Sequence, residues 1–156
     1  MSDTLFTKIH EAANYLKLDI ELQEIAELAL NNSLSEEGIQ AVSIFVDYLK
    51  EKKRETIIST QLRLSRLPLK EPKTFDGFDF SLIHGRQSDA LKNLPSLAEL
   101  YARRNLAFIG PQGVGKTHLA MAFGRECCLK GMKVYFLKAT ELNNRFTKAR
   151  RYGRES

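Results

Sequence analysis

Eight consecutive residues, Gly110-Pro111-Gln112-Gly113-Val114-Gly115-Lys116-Thr117, fill the pattern G-x-x-x-x-G-K-[ST]. The chemistry behind that spacing limits what can surround it. Successive backbone N–H groups must point into one concavity to hold the oxygens of a triphosphate. Glycines at positions 110, 113 and 115 admit backbone conformations, φ > 0 included, that a Cβ would hinder. Lys116 supplies a point charge for the β- and γ-phosphates, and Thr117 a hydroxyl for Mg²⁺. The helix that starts here offers its positive end to the anion. A loop of this kind calls for a strand before it and a helix after it.

The flanks read that way. Asn105-Leu106-Ala107-Phe108-Ile109 is a short apolar run, as a buried parallel strand would be. Thr117 to Lys130 predicts a helix, with Leu119, Ala122, Phe123 and Glu126 three and four apart and Gly131 where the chain should turn out of it. Lys133-Val134-Tyr135-Phe136-Leu137 predicts a second strand. The expected architecture is α/β: a helical N-terminal domain over 1–67, a linker over 68–80, and an incomplete P-loop nucleotide-binding domain with a parallel sheet over 81–156.

Upstream of the linker the pattern is helical. Leu5, Ile9, Ala12, Ala13 and Leu16, then Leu22, Ile25, Ala26, Leu28 and Ala29, follow the helical period. Lys17-Leu18-Asp19 predicts a break, with Asp19 as N-cap of the second helix. Ser33-Leu34-Ser35-Glu36 has the form of a capping box. A long helix is expected after it, with Ile39, Val42, Phe45, Val46 and Leu49 as its apolar stripe, running toward Leu67 and stopped by Pro68. Phe75, Phe78 and Phe80 crowd the linker and are expected to pack on the nucleotide domain. Ala90 to Arg103 reads as a further helix, with Pro95 interrupting it or starting a shorter one.

Charge is unevenly spread. Residues 1–60 carry 6 basic and 11 acidic side chains, a net −5, whereas residues 61–156 carry 18 and 8, a net +10. The basic half holds the loop, and phosphate polyanions are its natural partners. Lys138, Arg145, Lys148, Arg150, Arg151 and Arg154 make the densest stretch. It reads equally as a nucleic-acid contact or as a solvated helix face. No apolar run approaches the roughly 20 residues a membrane span needs, and no basic n-region precedes an apolar stretch at the N-terminus. The cytoplasm is the expected compartment. Cys127 and Cys128 are neighbours on one helix, point in different directions and are expected as free thiols.

The stretch from Asn105 to Ala120, with His118 and Leu119 directly after the loop's threonine, resembles the nucleotide loop of the IstB/DnaC-like AAA+ ATPases. Lys73 to Phe80 resembles that family's aromatic lead-in, and the charged helix ending in Arg66-Leu67-Pro68 resembles the end of the IstB helical domain. The resemblance is strong over 66–140 and looser over 1–65. It implies an ATP- and Mg²⁺-binding helper of insertion-sequence transposition that assembles on double-stranded DNA as an oligomer beside a transposase. Under it, Phe75, Phe78 and Asp79 line the adenine and Gly110 to Thr117 hold the phosphates and the metal. His118 is counted with the nucleotide-binding residues as a family-pattern position without an assigned role, where the residue itself reads as a satisfied structural histidine. The family continues past the second strand to an acidic Walker B pair, a sensor, an arginine finger and a lid. Residues 105–156 contain only Glu126, Glu141 and Glu155 as acids. The expectation is therefore an N-terminal fragment that binds ATP without hydrolysing it alone. A DnaC-like helicase loader in replication, and a non-enzymatic interaction module with a vestigial loop, are the competing readings.

Overall fold

The computed structural model describes residues 2–85 and 87–153. Arg154 lies outside that range. The described chain is helical. Its α-helices are α1 (Ser2–Leu16), α2 (Leu22–Asn31), α3 (Glu36–Leu64), α4 (Ser88–Lys92), α5 (Ala98–Tyr101), α6 (Lys116–Leu129) and α7 (Ala139–Tyr152), with 3-10 turns at Phe80–Leu82 and Leu94–Ser96. None is long and apolar enough to cross a membrane.

The expected parallel sheet is not there: no strand occurs among the described residues. Residues 104–110 and 132–138 run without regular structure, and no backbone hydrogen bond joins one to the other. An apolar run reports a preference for burial, whereas a strand exists only through a ladder of partner N–H and C=O groups. The amide of Phe136 donates instead to the carbonyl of Ser65, at 2.7 Å, beyond the end of α3. Ile109, placed by its apolar run in a buried strand, is 93% exposed. The α/β assignment is thus corrected to an all-helical arrangement, among the described residues, in which these two segments form no ladder with each other.

The chain divides into two compact units, Met1–Ile57 and Ile58–Ser156, with the boundary inside α3. In the first unit, Ile9 of α1, Ile25 and Ala29 of α2 and Ile39 of α3 form one apolar cluster, flanked by Leu5, Phe6 and Ile20. Burying Ile9, Ile25 and Ile39 contributes about 1.5–3 kcal/mol each. The break between α1 and α2 falls where expected, with Lys17 at φ +63°. The cap does not: Glu21 precedes α2 and its amide donates to Glu24 Oε2 at 2.8 Å, a role given above to Asp19. Similarly Ser33 sits at φ +50°, outside the helix, and Ser35 Oγ accepts from the Gly38 amide at 3.2 Å. Of the stripe assigned to α3, only Ile39 is buried, while Val42, Phe45 and Leu49 are exposed. A single helix face packs against two short helices, and these are too few to cover a wider stripe.

In the second unit, Phe75, Leu94, Leu119 and Ala122 form the core, with Phe78, Phe80, Leu91, Phe108 and Phe123 around it. The crowded linker phenylalanines do pack here. The predicted helix over 90–103 is broken into α4, the 3-10 turn holding Pro95, and α5, because Leu97 turns left-handed at φ +56°. Helix α6 matches expectation to within a residue at each end. Gly131 leaves it at φ +78°, and the amides of Gly131 and Met132 close on the carbonyls of Cys128 and Cys127.

Candidate functional site

The loop 110–117 runs straight into α6. Gly113 and Gly115 both stand at φ +88°, the left-handed region that an L side chain enters only under strain. Gly115 is the N-cap of α6. Among the described residues, no backbone carbonyl accepts from the amides of Gly113, Val114, Gly115, Lys116 or Thr117. These are the orphan donors of a helix start, and the dipole behind them favours an anion. A side chain on Gly115 is excluded twice. The backbone is left-handed, and a Cβ there would collide with Cε2 of Phe78 and lie 3.2 Å from its Cζ.

Lys116 is turned inward. Its ammonium donates to the carbonyl of Gly110 at 2.9 Å and to that of Pro111. Its charge is thereby held over the concavity by the loop's own oxygens. Thr117 is exposed on the first turn of α6.

Beside the loop lies a cleft of about 330 Å³. One wall comes from Leu82, Ile83, His84, Gln87 and Leu91, the other from Ala107 to Pro111, with Val114, Lys116 and Leu119 also lining it. The first wall was not foreseen. Its signal in the sequence is only a short apolar pair, Leu82-Ile83, ahead of a glycine.

The residues assigned to the adenine lie outside the lining of this cleft. Phe75 is buried with Leu94 and Leu119. Phe78 packs on Gly115 and edge-on against Phe80, with ring centroids 4.9 Å apart. Asp79 caps the 3-10 turn, accepting from the Ser81 amide at 2.9 Å and from its hydroxyl at 2.6 Å, which holds its carboxyl below the usual range. His118 donates from Nε2 to the carbonyl of Thr74 at 2.7 Å. None of these four lines the cleft.

The basic residues separate into two groups. Arg66 and Arg145 both stack on the Tyr135 ring, 5.5 and 5.0 Å from its centroid, and both donate to its hydroxyl and to Glu141. Hydrogen bonding to Arg66 is the chief reason that the Glu141 carboxyl and the Tyr135 phenol titrate below their ordinary values. Arg145 is thus occupied. Lys138 is the N-cap of α7, and Lys148, Arg150 and Arg151 are exposed along it.

Comparison with known proteins places this geometry in context. The family model described as "IstB-like ATP binding protein" matches residues 12–156. The chain is 31% identical over 150 residues to a protein named as an ATP-binding protein of insertion sequence IS5376 from Geobacillus stearothermophilus, covering 94% of this chain and 58% of that one. It is 28% identical over 139 residues to the corresponding IS232 protein of Bacillus thuringiensis subsp. berliner, covering 87% and 54%. A third relative, named for IS21 of Pseudomonas aeruginosa, is 34% identical over 97 residues, covering 62% and 36%. The chain spans about half the length of the first two relatives.

Proposed function

Since the chain belongs to the IstB-like ATP-binding protein family, we propose that it binds ATP with Mg²⁺ at the loop 110–117 and serves the transposition of an insertion sequence. The observation that carries the binding is the set of unpartnered amides from Gly113 to Thr117, gathered at the start of α6 by two left-handed glycines. A donor set of that kind suits phosphate oxygens. Lys116 exchanges the carbonyls of Gly110 and Pro111 for the phosphates. Thr117 offers its hydroxyl to Mg²⁺, which neutralises phosphate charge when bound. The apolar wall of Leu82, Ile83 and Leu91 offers the base a surface out of water.

Phosphoryl transfer depends on positioned charges around the γ-phosphate. Glu141 is engaged by Arg66 and Arg145, and no pair of adjacent acids follows the loop in this chain. We therefore expect binding without appreciable turnover by these residues alone. Double-stranded DNA, a transposase and further copies of the chain are the proposed partners, the first through the basic face of α7.

The test is a titration of fluorescent ATP with Mg²⁺ against the protein and its Lys116→Ala variant. Saturable binding that the variant loses is the expected result. A folded protein that binds no nucleotide, or a variant that binds equally well, overturns the reading.

A further inference from the structure

The segment ahead of the cleft is bolted to the loop from outside. The ring of Phe78 lies against Gly115 on the side a Cβ would occupy. That ring is itself held, edge-on to Phe80 and 5.4 Å from the His118 ring. His118, one residue past the loop, bonds the carbonyl of Thr74 across 44 positions of sequence, and Thr74 Oγ1 accepts from the Gly77 amide at 3.1 Å. Phe75 anchors the segment in the core. Phe78 does not line the cleft. Its contact is with the second of the two left-handed glycines, the one that leads directly into α6.

We propose that Phe78 is a positioning residue for the phosphate loop: its ring, fixed by Phe80 and His118, holds Gly115 left-handed so that the amides at 115–117 stay turned toward the phosphates, and it touches no part of the nucleotide. Glycine reaches φ > 0 and φ < 0 about equally well, so an unsupported Gly115 spends much of its time with those amides misdirected. A wall of carbon on one side removes that freedom before the ligand arrives, and preorganisation of this kind appears as affinity. This inference rests on the nucleotide reading above.

Phe78→Met keeps apolar bulk in the cluster and removes the ring. It is expected to weaken fluorescent ATP about tenfold, the equivalent of about 1.4 kcal/mol. Inorganic tripolyphosphate, measured by competition, is expected to weaken by the same factor, because the ring acts through the phosphates' cradle. Combining Phe78→Met with Gly115→Ala should cost less than the two changes added, since the collision between the Cβ and the ring is then relieved. Circular dichroism checks that each variant folds. Should Phe78→Met fail to fold, His118→Ala removes the ring's support and must show the same matched loss. Weakening of ATP with tripolyphosphate unchanged identifies Phe78 as a base contact and overturns the proposal, as does wild-type affinity in the variant or strict additivity with Gly115→Ala. Failure of the wild-type chain to bind ATP, or binding retained by Lys116→Ala, sinks the nucleotide reading itself and is told apart by those two measurements.

Discussion

Lys116 shows how little a single contact says about its own worth. Its ammonium already makes two hydrogen bonds to the loop, so taking up a phosphate is an exchange, and the gain is the difference between oxygen partners. Cys127 and Cys128 show the opposite case, side chains whose chemistry the fold suppresses. Both are buried and free. Burial, with its neighbour's thiol adding to it, pushes the Cys127 thiol up to about 11, and burial raises Cys128 as well. Only the thiolate reacts with a disulfide reagent. The native protein at pH 8 should therefore leave Ellman's reagent unreduced, and both thiols should react once it is unfolded. The same shift has a thermodynamic sign. Above the ordinary thiol pKa of about 8.5 the unfolded chain loses protons that the folded chain keeps, so stability falls as pH climbs from there toward 11. Cys127→Ala should flatten that alkaline decline in thermal unfolding scans.

Helix α7 carries two kinds of arginine that look alike in sequence. Arg145 is held between Tyr135 and Glu141, whereas Lys148, Arg150 and Arg151 stand in solvent. If α7 meets DNA, replacing these three by Gln should weaken binding and lower the slope of log K against log salt by about 2–3, at roughly 0.9 per phosphate contact. Fluorescence anisotropy across a salt series measures both. The pairing of Arg145 with Glu141, four residues before it, is a local pattern, whereas the second arginine on the same cluster, Arg66, lies 75 positions before Glu141 and only the fold brings it there. What was legible follows the same divide between local and distant. The turn glycines, the helix after the loop and the break near Lys17 are set by neighbours in sequence, and the structure has them. The cap at Glu21 is local too, a capping box with Glu24, and is passed over because Asp is the more usual N-cap. The exposed stripe of α3 and the bent chain around Leu97 depend on what packs across space. The sheet failed for the same reason: apolar runs at 105–109 and 133–137 require partners that their own residues cannot supply. In the site, the loop could be read from spacing, while the wall of Leu82, Ile83 and Leu91 could be found only in three dimensions.

The two units carry opposite net charge, −5 in the first and +10 in the second, which favours a polyanion for the second alone. An overall charge of +5 helps to keep copies of the protein apart in solution. The run 105–109 works against that repulsion. Between Arg104, whose amide is bonded to Glu99, and Gly110, whose carbonyl takes the Lys116 ammonium, residues 105–109 make no backbone–backbone hydrogen bond, and a row of such amides edged with Leu106 and Ile109 is a template for another chain. Salt should therefore bring on turbidity by screening the charge while leaving the template intact. Ile109→Lys, which puts a gatekeeper charge on that row, should raise the concentration at which light scattering begins. A stretch that looks inert beside the loop would then set how this protein must be stored, concentrated and handled.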